Sequence, residues 1–356
     1  MEVKYLVERK PLVDYCTKIF VTNGMQENDA YAVADSLVDA DLRGVSSHGI
    51  MRIGNYLDRL DNGGAKRNPE IKIISETDTT LLIDADDALG AVVSEKVVSL
   101  TREKAKKSGV AIVVVKRSNH HGACAHWSQK IAADDMIGIA ITNVEPLIAI
   151  TGSKVPGIGN NPFSVAFPTK SNEHVCLDIA CSIMAGGKLI ELRREGKDAP
   201  EGAFLDEEGN PTTDAHKGRT MRPFGGHKGY GIAVVVEMLT SVLSGGNFGY
   251  DMGSQYRKLS VPNHIAHFFM AIDIERFRNL DEFKEDADNF VDYLRELPKS
   301  EGVERIYFPG EIENGKKKCN LENGIPYTQS ALEELESFGK RVGLAKEESS
   351  FLWEKK

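Results

Sequence analysis

The chain has little cysteine, and its cysteines are not arranged in pairs. Five occur in 356 residues, scattered and without any C-x-x-C motif (Cys16, Cys124, Cys176, Cys181 and Cys319). An odd, unpaired set is typical of reduced thiols in the cytoplasm, and it predicts neither a disulfide framework nor a zinc ribbon. The sequence also lacks an apolar run near the roughly 20 residues of a membrane-spanning helix, and residues 1–5 do not resemble a signal peptide.

Positive charge is in deficit as well. The 44 Lys and Arg residues against 53 Asp and Glu residues leave a net charge of −9. This balance argues against nucleic acid or an anionic membrane as the main partner, although a local basic cluster can still bind a small anion. We therefore expect a cytoplasmic protein with a small-molecule partner, no nucleic acid and no membrane.

Two nucleotide-binding signatures are absent. No G-x-G-x-x-G segment follows a predicted strand, and there is no Walker A loop. The glycine-rich stretch from Gly152 to Pro162 matches neither signature. A dinucleotide cofactor would therefore need a fold other than the Rossmann fold.

Hydrophobic periodicity divides the chain into three parts. Residues 9–62 carry apolar side chains at helical spacing, and amphipathic helices are predicted again at 280–297 and 328–342. Between them, helices at 92–108 and 123–134 alternate with short apolar runs that predict strands at 71–74, 80–83, 110–115, 137–142, 164–167, 175–179 and 268–272. Residues 182–225 read as loop and 230–243 as a buried apolar helix. The pattern predicts an α/β protein with a mixed sheet in the middle.

Polar side chains concentrate in the segment Ser47-His48-Gly49-Ile50-Met51-Arg52. If a helix begins near His48, then His48, Arg52 and Tyr56 share one face, because steps of four residues drift by only about 40°. An imidazole, a guanidinium and a phenol in one row suit an enzyme that handles a small hydroxy or keto acid. A solvated helix face explains the same stripe equally simply.

A second polar segment, Lys116 to Gly122, follows the buried strand predicted at 110–115. Ligands of α/β sheets bind beyond the carboxyl ends of strands, so His120 is well placed for proton transfer. His120, His121, Cys124 and His126 also allow a zinc site, and hence a metal-dependent hydrolase as a function of another class. The second pair of ligands that a structural zinc site needs is missing, and so is H-E-x-x-H. We therefore predict no metal.

Two further segments combine glycine with polar residues. Four glycines surround His227 and Lys228, directly before the apolar helix predicted at 230–243. Bare amides, a helix N-terminus and an ammonium group form a site suited to phosphate. Pro309, Gly310 and Glu311 read as a turn.

These segments, in this order, resemble the malate/L-lactate dehydrogenase family of nicotinamide-dependent 2-hydroxyacid oxidoreductases. The resemblance spans about residues 10–345, and the segments S-H-G-I-x-R at 47–52, G-G-H-K-G-Y-G at 225–231 and P-G-E at 309–311 match as they stand. Other motifs match with changes. His121 stands for a phenylalanine, Asn160 for a threonine, and Asp178-Ile179-Ala180-Cys181-Ser182 for D-M-A-T-S.

The resemblance implies a non-Rossmann, mixed-sheet α/β fold and a homodimer. It places a cofactor-binding domain at residues 75–309 and a helical domain built from residues 1–74 and 310–356. It also implies reversible hydride transfer between a nicotinamide and C2 of a small 2-oxo acid, in character closest to malate dehydrogenase.

The resemblance also implies roles for individual residues. His48 and His120 would be catalytic, and which of them moves the proton is left open. An ordinary histidine pKa of about 6.5 would suit the task. Substrate contacts would come from Ser47, Arg52 and Tyr56, with Arg52 binding the carboxylate. Cofactor contacts would come from His120, Gly122, Asn143, Asn161, Pro162, Asp178, Ile179, Ala180, His227, Lys228, Pro309, Gly310 and Glu311.

Cofactor and substrate are narrowed further by charge. Some NADP-using members of the family carry a basic residue shortly after the D-x-A-x-S segment, whereas Ala185, Gly186 and Gly187 offer none here, so the resemblance favours NAD over NADP. Arg43, Arg52 or Arg59 could bind a second carboxylate, which favours malate and oxaloacetate. Lactate, sulfolactate, ureidoglycolate and cyclic imines of the same family remain alternatives.

Overall fold

Helices and strands alternate along the chain in a computed structural model that describes residues 4–171, 173–184 and 186–353. The α-helices of this part of the chain are α1 (Arg9–Thr22), α2 (Glu27–Leu42), α3 (Ile53–Asn62), α4 (Gly90–Ser108), α5 (Cys124–Ala132), α6 (Gly186–Glu195), α7 (His227–Glu237), α8 (Leu280–Glu296), α9 (Glu311–Asn323) and α10 (Gln329–Val342). The strands are β1 (Lys4–Val7), β2 (Lys72–Glu76), β3 (Thr80–Asp84), β4 (Val110–Ser118), β5 (Met136–Thr142), β6 (Ile148–Ala149), β7 (Pro156–Ile158), β8 (Phe163–Phe167), β9 (Val175–Ile179), β10 (Phe204–Leu205), β11 (Pro211–Thr212), β12 (Thr220–Met221), β13 (Ile265–Asp273) and β14 (Ile325–Thr328).

The main sheet has seven strands in the order β2-β3-β4-β13-β5-β8-β9. Its centre is β13, which pairs antiparallel with β4 on one side and β5 on the other. Phe269 in β13 lies opposite Val113 and Ala140, and all three side chains are buried. Only the β3–β4 pair of this sheet is parallel, with α4 as the connection. The mixed α/β architecture predicted from the sequence is therefore present.

The two ends of the chain meet in a second, two-stranded sheet. β1 pairs antiparallel with β14, so that Tyr5 lies opposite Tyr327. The core beneath them includes Phe20, Leu37 and Leu57, which are fully buried. Each such side chain contributes about 1.5–3 kcal/mol through loss of water contact. This packing fixes the N-terminal helices against the C-terminal segment.

A smaller five-stranded sheet, β11-β10-β12-β6-β7, takes three of its strands, β10, β11 and β12, from the region predicted as loop. Residues 182–225 contain α6 and three two-residue strands, so the loop prediction is wrong there. Strands this short give no measurable alternation in sequence, which is why periodicity missed them.

Three other expectations need correction. α7 begins at His227, passes into a π-turn at Met238–Val242, and leaves Val235, Met238 and Leu243 more than half exposed, so the helix is not buried all round. The turn at Pro309–Glu311 opens α9, which the sequence did not predict. The helix expected to begin near His48 begins at Ile53. None of the helices in the described ranges is both long and apolar enough to span a bilayer.

Candidate active site

His48 lies on a tight turn that is held in place by a hydrogen bond to the buried Asp41. A 3-10 turn at Ser46–His48 and a second one at Ile50–Arg52 lead into α3. The buried Asp41 Oδ2 accepts hydrogen bonds from the Ile50 amide at 2.9 Å and from the Tyr327 hydroxyl at 2.7 Å. A Cβ on Gly49 would lie 1.8 Å from Asp41 Oδ1, so no other residue fits there. Burial raises the pKa of Asp41 to about 7.

The rings of His48 and His120 stack on each other. Their centroids are 5.4 Å apart and the planes differ by 24°. His48 reaches this position from the turn before α3 and His120 from the turn after β4. The predicted stripe on one helix is therefore wrong in its geometry, yet the two histidines do meet. Ser47 Oγ lies 3.0 Å from His48 Nδ1 and orients that ring.

Hydrogen bonds fix the tautomer of His120. The Tyr56 hydroxyl lies 2.8 Å from His120 Nδ1, and the Gly122 amide donates to the same nitrogen at 3.4 Å. Because a backbone N–H can only donate, Nδ1 is the acceptor. Burial raises the pKa of Tyr56, so its phenol stays protonated and donates as well. The neutral His120 ring therefore carries its proton on Nε2.

Both imidazoles are held neutral. Burial, followed by the nearby Arg52 charge, lowers the pKa of His48 to about 3. Burial, then His48 and Arg52, also holds the pKa of His120 well below its usual value. The expected pKa near 6.5 is therefore wrong for the protein without substrate, because a cation and enclosure both oppose protonation.

Arg52 is the unpaired cation of this region. Its Nε donates to the Ser47 carbonyl at 2.6 Å, and Nη1 contacts the Tyr256 hydroxyl. Within residues 4–171, 173–184 and 186–353 it has no carboxylate partner. A half-buried guanidinium without a carboxylate partner can bind the carboxylate of a ligand. Tyr256 was not predicted from the sequence, because it lies in a loop without hydrophobic periodicity.

The other two arginines considered for a second carboxylate are bound to the protein itself. Arg43 donates to Asp39, Asn314 and Gln129 and is buried. Arg59 is fully buried, and its Nη2 donates to Gly64, Asn119 and Val261. Their hydrogen bonds join secondary-structure elements, so the prediction that either could bind substrate fails.

Asp178 lies at the end of β9, beside the start of α5. Its Oδ2 accepts a hydrogen bond of 3.1 Å from the Ala125 amide, in the first turn of α5. The side chain remains exposed, and Ile179 and Ala180, both half-buried, continue the strand end. Four successive antiparallel pairings lead from β4 to β9, so the two strands run in the same direction and their carboxyl ends lie at the same edge of the sheet. Asp178 therefore lies at the same edge as His120.

The start of α7 lies next to that strand end. The Phe224 amide donates to the Cys181 carbonyl at 3.0 Å, three residues after Asp178. Gly225 and Gly226 have φ values of 55° and 61°, which glycine adopts without strain. His227 and Lys228 are exposed in the first turn. An exposed carboxylate, a helix N-terminus and an ammonium group in this order fit the ribose and phosphates of a dinucleotide.

Asn143 and Asn161 have a different environment from the one expected of cofactor ligands. Both side chains are fully buried, and their amides donate to the two oxygens of Glu237, at 2.7 and 2.8 Å. Neither amide group is left free for a cofactor. Pro162 contributes its carbonyl to the Thr142 amide at 3.1 Å. Glu237, which sequence reasoning missed, is therefore the residue that joins β5, the 159–162 turn and α7.

The Pro309–Glu311 segment packs against β9. The Cys176 amide donates to the Pro309 carbonyl at 3.0 Å, and a Cβ on Gly310 would lie 2.7 Å from the Cys176 carbonyl. The Glu311 carboxylate is bound by Arg295 at 2.8 Å and by Arg305. The Glu311 carboxylate is therefore not free to bind a cofactor. The segment nevertheless contacts Cys176, which is two residues before Asp178.

Of the four residues considered for zinc, His121 and Cys124 are in contact, with Nε2 3.4 Å from Sγ, but His120 and His126 are bound to other partners. His120 is bound to Tyr56, His121 Nδ1 lies 3.2 Å from Ser94 Oγ, and His126 Nδ1 lies 3.0 Å from Asp39. In the described part of the chain, no three His, Cys, Asp or Glu side chains are placed to hold a metal ion. The geometry gives the hydrolase alternative no support.

Comparison with known proteins finds similar sequences and structures along nearly the whole chain. Residues 7–336 match the family described as malate/L-lactate dehydrogenase. The chain is 39% identical over 348 residues to a malate dehydrogenase of Pyrococcus horikoshii, covering 95% of the chain and 96% of the relative. It is 37% identical over 343 residues to an L-sulfolactate dehydrogenase of Methanocaldococcus jannaschii, covering 95% and 96%. A solved malate dehydrogenase of Entamoeba histolytica superposes with a TM-score of 0.91 at 30% identity, covering 96% of this chain and 99% of the other.

Proposed function

The chain belongs to the malate/L-lactate dehydrogenase family, and we propose that it transfers a hydride reversibly between NAD and a small 2-hydroxy or 2-oxo acid, with malate and oxaloacetate as the preferred pair. The observation that carries the proposal is the stacked His48–His120 pair beside Arg52.

The proposed mechanism assigns separate tasks to these side chains. Arg52 binds the C1 carboxylate of the acid through its free guanidinium edge. Asp178, His227 and Lys228 would hold the dinucleotide, whose nicotinamide would supply the hydride for C2. The His48–His120 pair donates the proton to the developing alkoxide in reduction and accepts it back in oxidation. Ser47 orients His48, and Tyr56 orients His120 rather than touching the acid.

Substrate binding changes the protonation of the pair. Burial is the main cause of the low pKa of both histidines, and the Arg52 charge lowers both values further. A carboxylate on Arg52 offsets that charge, so the pKa values rise when the acid binds. Protonation is thereby tied to the presence of the substrate whose oxygen receives the proton.

The preference for malate rests on the relatives, because Arg43 and Arg59 are bound to other parts of the protein and supply no charge for a second carboxylate. The two relatives described above are named for malate and for sulfolactate, and both acids carry a second anionic group. Of the three arginines considered for the substrate, Arg52 is the one that remains, and it binds the C1 carboxylate. Sulfolactate is the second candidate, and lactate, ureidoglycolate and cyclic imines rank below it.

For the cofactor we propose NAD. Asp178 would bind the ribose hydroxyls, and its carboxylate would repel a 2′-phosphate. Gly122, Ile179 and Ala180 would line the dinucleotide, and the phosphates would lie at His227 and Lys228. Pro309 and Gly310 would contact it through β9. Asn143, Asn161, Pro162 and Glu311 would act by holding these segments in place. Of the 185–187 segment used to favour NAD, Ala185 lies outside the described residues.

We further propose that the protein is a homodimer and that the apolar face of α7 lies in the interface. Val235, Met238, Val242 and Leu243 are 45–57% exposed and follow one side of α7 and its π-turn. In a two-fold dimer, the same patch on a second copy of the chain would cover this apolar face. The domain boundaries at residues 75 and 309, the dinucleotide site outside a Rossmann fold and the cytoplasmic location stay predictions.

A panel of 2-oxo acids tests the activity. Oxaloacetate, sulfopyruvate and pyruvate are each assayed with NADH and NADPH by the change in nicotinamide absorbance. We expect the highest kcat/KM with oxaloacetate and NADH. Turnover with none of the pairs would overturn the proposed function.

A further inference from the structure

The segment 253–263 is a loop held firmly at its base. Arg59 donates from Nη2 to the Val261 carbonyl at 2.8 Å and from Nη1 to the Ser254 carbonyl at 3.2 Å. Glu145 accepts from Ser254 Oγ at 2.8 Å and from the Gln255 amide at 2.5 Å. Arg59 reaches the loop from α3, and Glu145 reaches it from a bend three residues after β5, so the loop has a defined position relative to the sheet.

The same loop is joined to the segment that carries the candidate catalytic residues. Asn55 Nδ2 donates to the Gln255 carbonyl at 3.1 Å. Asn55 belongs to α3, one residue before Tyr56 and three after Arg52. The loop is therefore fixed in position relative to Arg52.

Tyr256, the next residue of the loop, reaches Arg52. Its side chain is 59% exposed, and its ring centroid lies 5.6 Å from the Arg52 guanidinium carbon. Arg52 Nη1 contacts the Tyr256 hydroxyl. Apolar packing does not explain the position of a side chain exposed to this degree, whereas its contact with Arg52 does.

The direction of that hydrogen bond leaves the O–H group of the Tyr256 phenol available as a donor. A guanidinium can only donate, so the Tyr256 oxygen is the acceptor. Within the described ranges the Tyr256 O–H has no protein acceptor. Because Arg52 Nε is engaged by Ser47, a carboxylate must approach the Nη edge, next to this hydroxyl.

We propose that Tyr256 is a substrate-binding residue whose O–H donates to the C1 carboxylate held by Arg52, an inference that rests on the proposed function. Arg52 and Tyr256 would then bind the carboxylate together, one as a charged donor and the other as a neutral donor. The ligand class is a 2-oxo or 2-hydroxy monocarboxylate or dicarboxylate.

Removal of the hydroxyl alone tests the proposal. In Tyr256→Phe, we expect KM for oxaloacetate and for pyruvate to rise about tenfold or more, with kcat within about twofold, because the variant loses a hydrogen bond to a charged carboxylate. The matched control is Tyr250→Phe. Tyr250 is 73% exposed, and its hydroxyl contacts the Pro156 carbonyl. Its KM should not change. An unchanged KM in Tyr256→Phe would overturn the inference.

A binding measurement separates this inference from the proposed function. Oxamate, a non-reacting 2-oxo acid analogue, should raise the Tm of the wild-type protein, and raise it less in Tyr256→Phe than in Tyr250→Phe. If the wild type reduces no acid but the oxamate shift depends on Tyr256, the activity is wrong and the contact stands. Equal shifts in all three proteins would contradict the contact.

Discussion

Tyr56 and His120 are joined by a hydrogen bond of 2.8 Å between the phenol and Nδ1 of the imidazole. The phenol comes from α3 and the imidazole from the turn after β4, so the bond ties the helical part of the chain to the main sheet. Because Nδ1 is occupied, Nε2 carries the proton of the neutral ring. The account of the site depends on this tautomer.

Loss of the Tyr56 hydroxyl should therefore affect turnover more than binding. In Tyr56→Phe, His120 can adopt the other tautomer, so we expect kcat to fall about tenfold or more, on the scale of general acid–base catalysis, while KM stays within about twofold. Steady-state kinetics with oxaloacetate and NADH measures both values. Tyr31→Phe, at a 46% exposed position on α2, is the control. A rise in KM with kcat unchanged would assign Tyr56 to substrate binding instead.

Removal of either histidine separates their roles. His48→Ala should lower kcat by about 10²-fold or more, since proton transfer contributes on that scale. His120→Ala should lower it by a comparable factor because the rings act as a stacked pair. Rates are compared with those of His216→Ala, an exposed histidine. Normal turnover in His48→Ala together with an inactive His120→Ala would give the proton to His120 alone.

Acid stability should depend on a pair of buried histidines next to the site. His121 and His267 are buried and stacked, with centroids 4.3 Å apart. Burial lowers the pKa of His267 to about 3 and holds that of His121 well below its usual value. Below a pH of about 6.5 the unfolded chain thus binds more protons than the folded one, so stability falls as the pH falls.

The variant His121→Phe removes one of these groups and introduces the phenylalanine that is usual at this position of the family motif. The loss of unfolding free energy between pH values of about 7.5 and 5 should shrink by about 2 kcal/mol, at about 1.4 kcal/mol per pH unit below 6.5. Urea unfolding at both pH values measures it. His216→Phe should leave the difference as it is in the wild type. An unchanged pH dependence in His121→Phe would mean that His121 is protonated in the folded protein.

The proposed dimer makes a separate prediction. Met238→Glu places a charge on the exposed apolar face of α7, and burial of an unpaired charge in an interface is unfavourable. We expect light scattering after size exclusion to show a dimer for the wild type and monomers for the variant. Phe290→Glu, at a 61% exposed position on α8, should remain dimeric. A wild-type monomer would contradict the dimer, and dissociation of Phe290→Glu alone would move the interface to α8.

Local pattern was sufficient for the elements that bury an apolar face. The strand at Val175–Ile179 and the helices near 90–108 and 280–296 lie within two residues of their predicted bounds. α9 was missed because most of its residues are polar, Ile312 and Leu321 are exposed, and the one residue that it buries is Asn314. It is held by long-range bonds such as Asn314 to His174, which no local pattern reveals.

The candidate site was predictable in its residue types but not in its connections. The turn motif around His48 and the strand-end position of His120 pointed to both residues, and the structure brings them together. Tyr256 and Glu237 act through partners about 200 and 90 residues away in sequence (Arg52 and Asn143). Spacing along one chain carries no information on such pairs. For the same reason, the sequence could not show that Arg43 and Arg59 are hydrogen-bonded to other parts of the protein.

The most direct test of the central claim is isotope transfer from the nicotinamide to the acid. Oxaloacetate is reduced with NADH that carries deuterium at the transferable position of the ring, and the product is examined by mass spectrometry. The account predicts malate with one deuterium at C2, at a rate that His48→Ala lowers. Malate without deuterium, or no reduced acid from any member of the panel, would contradict it.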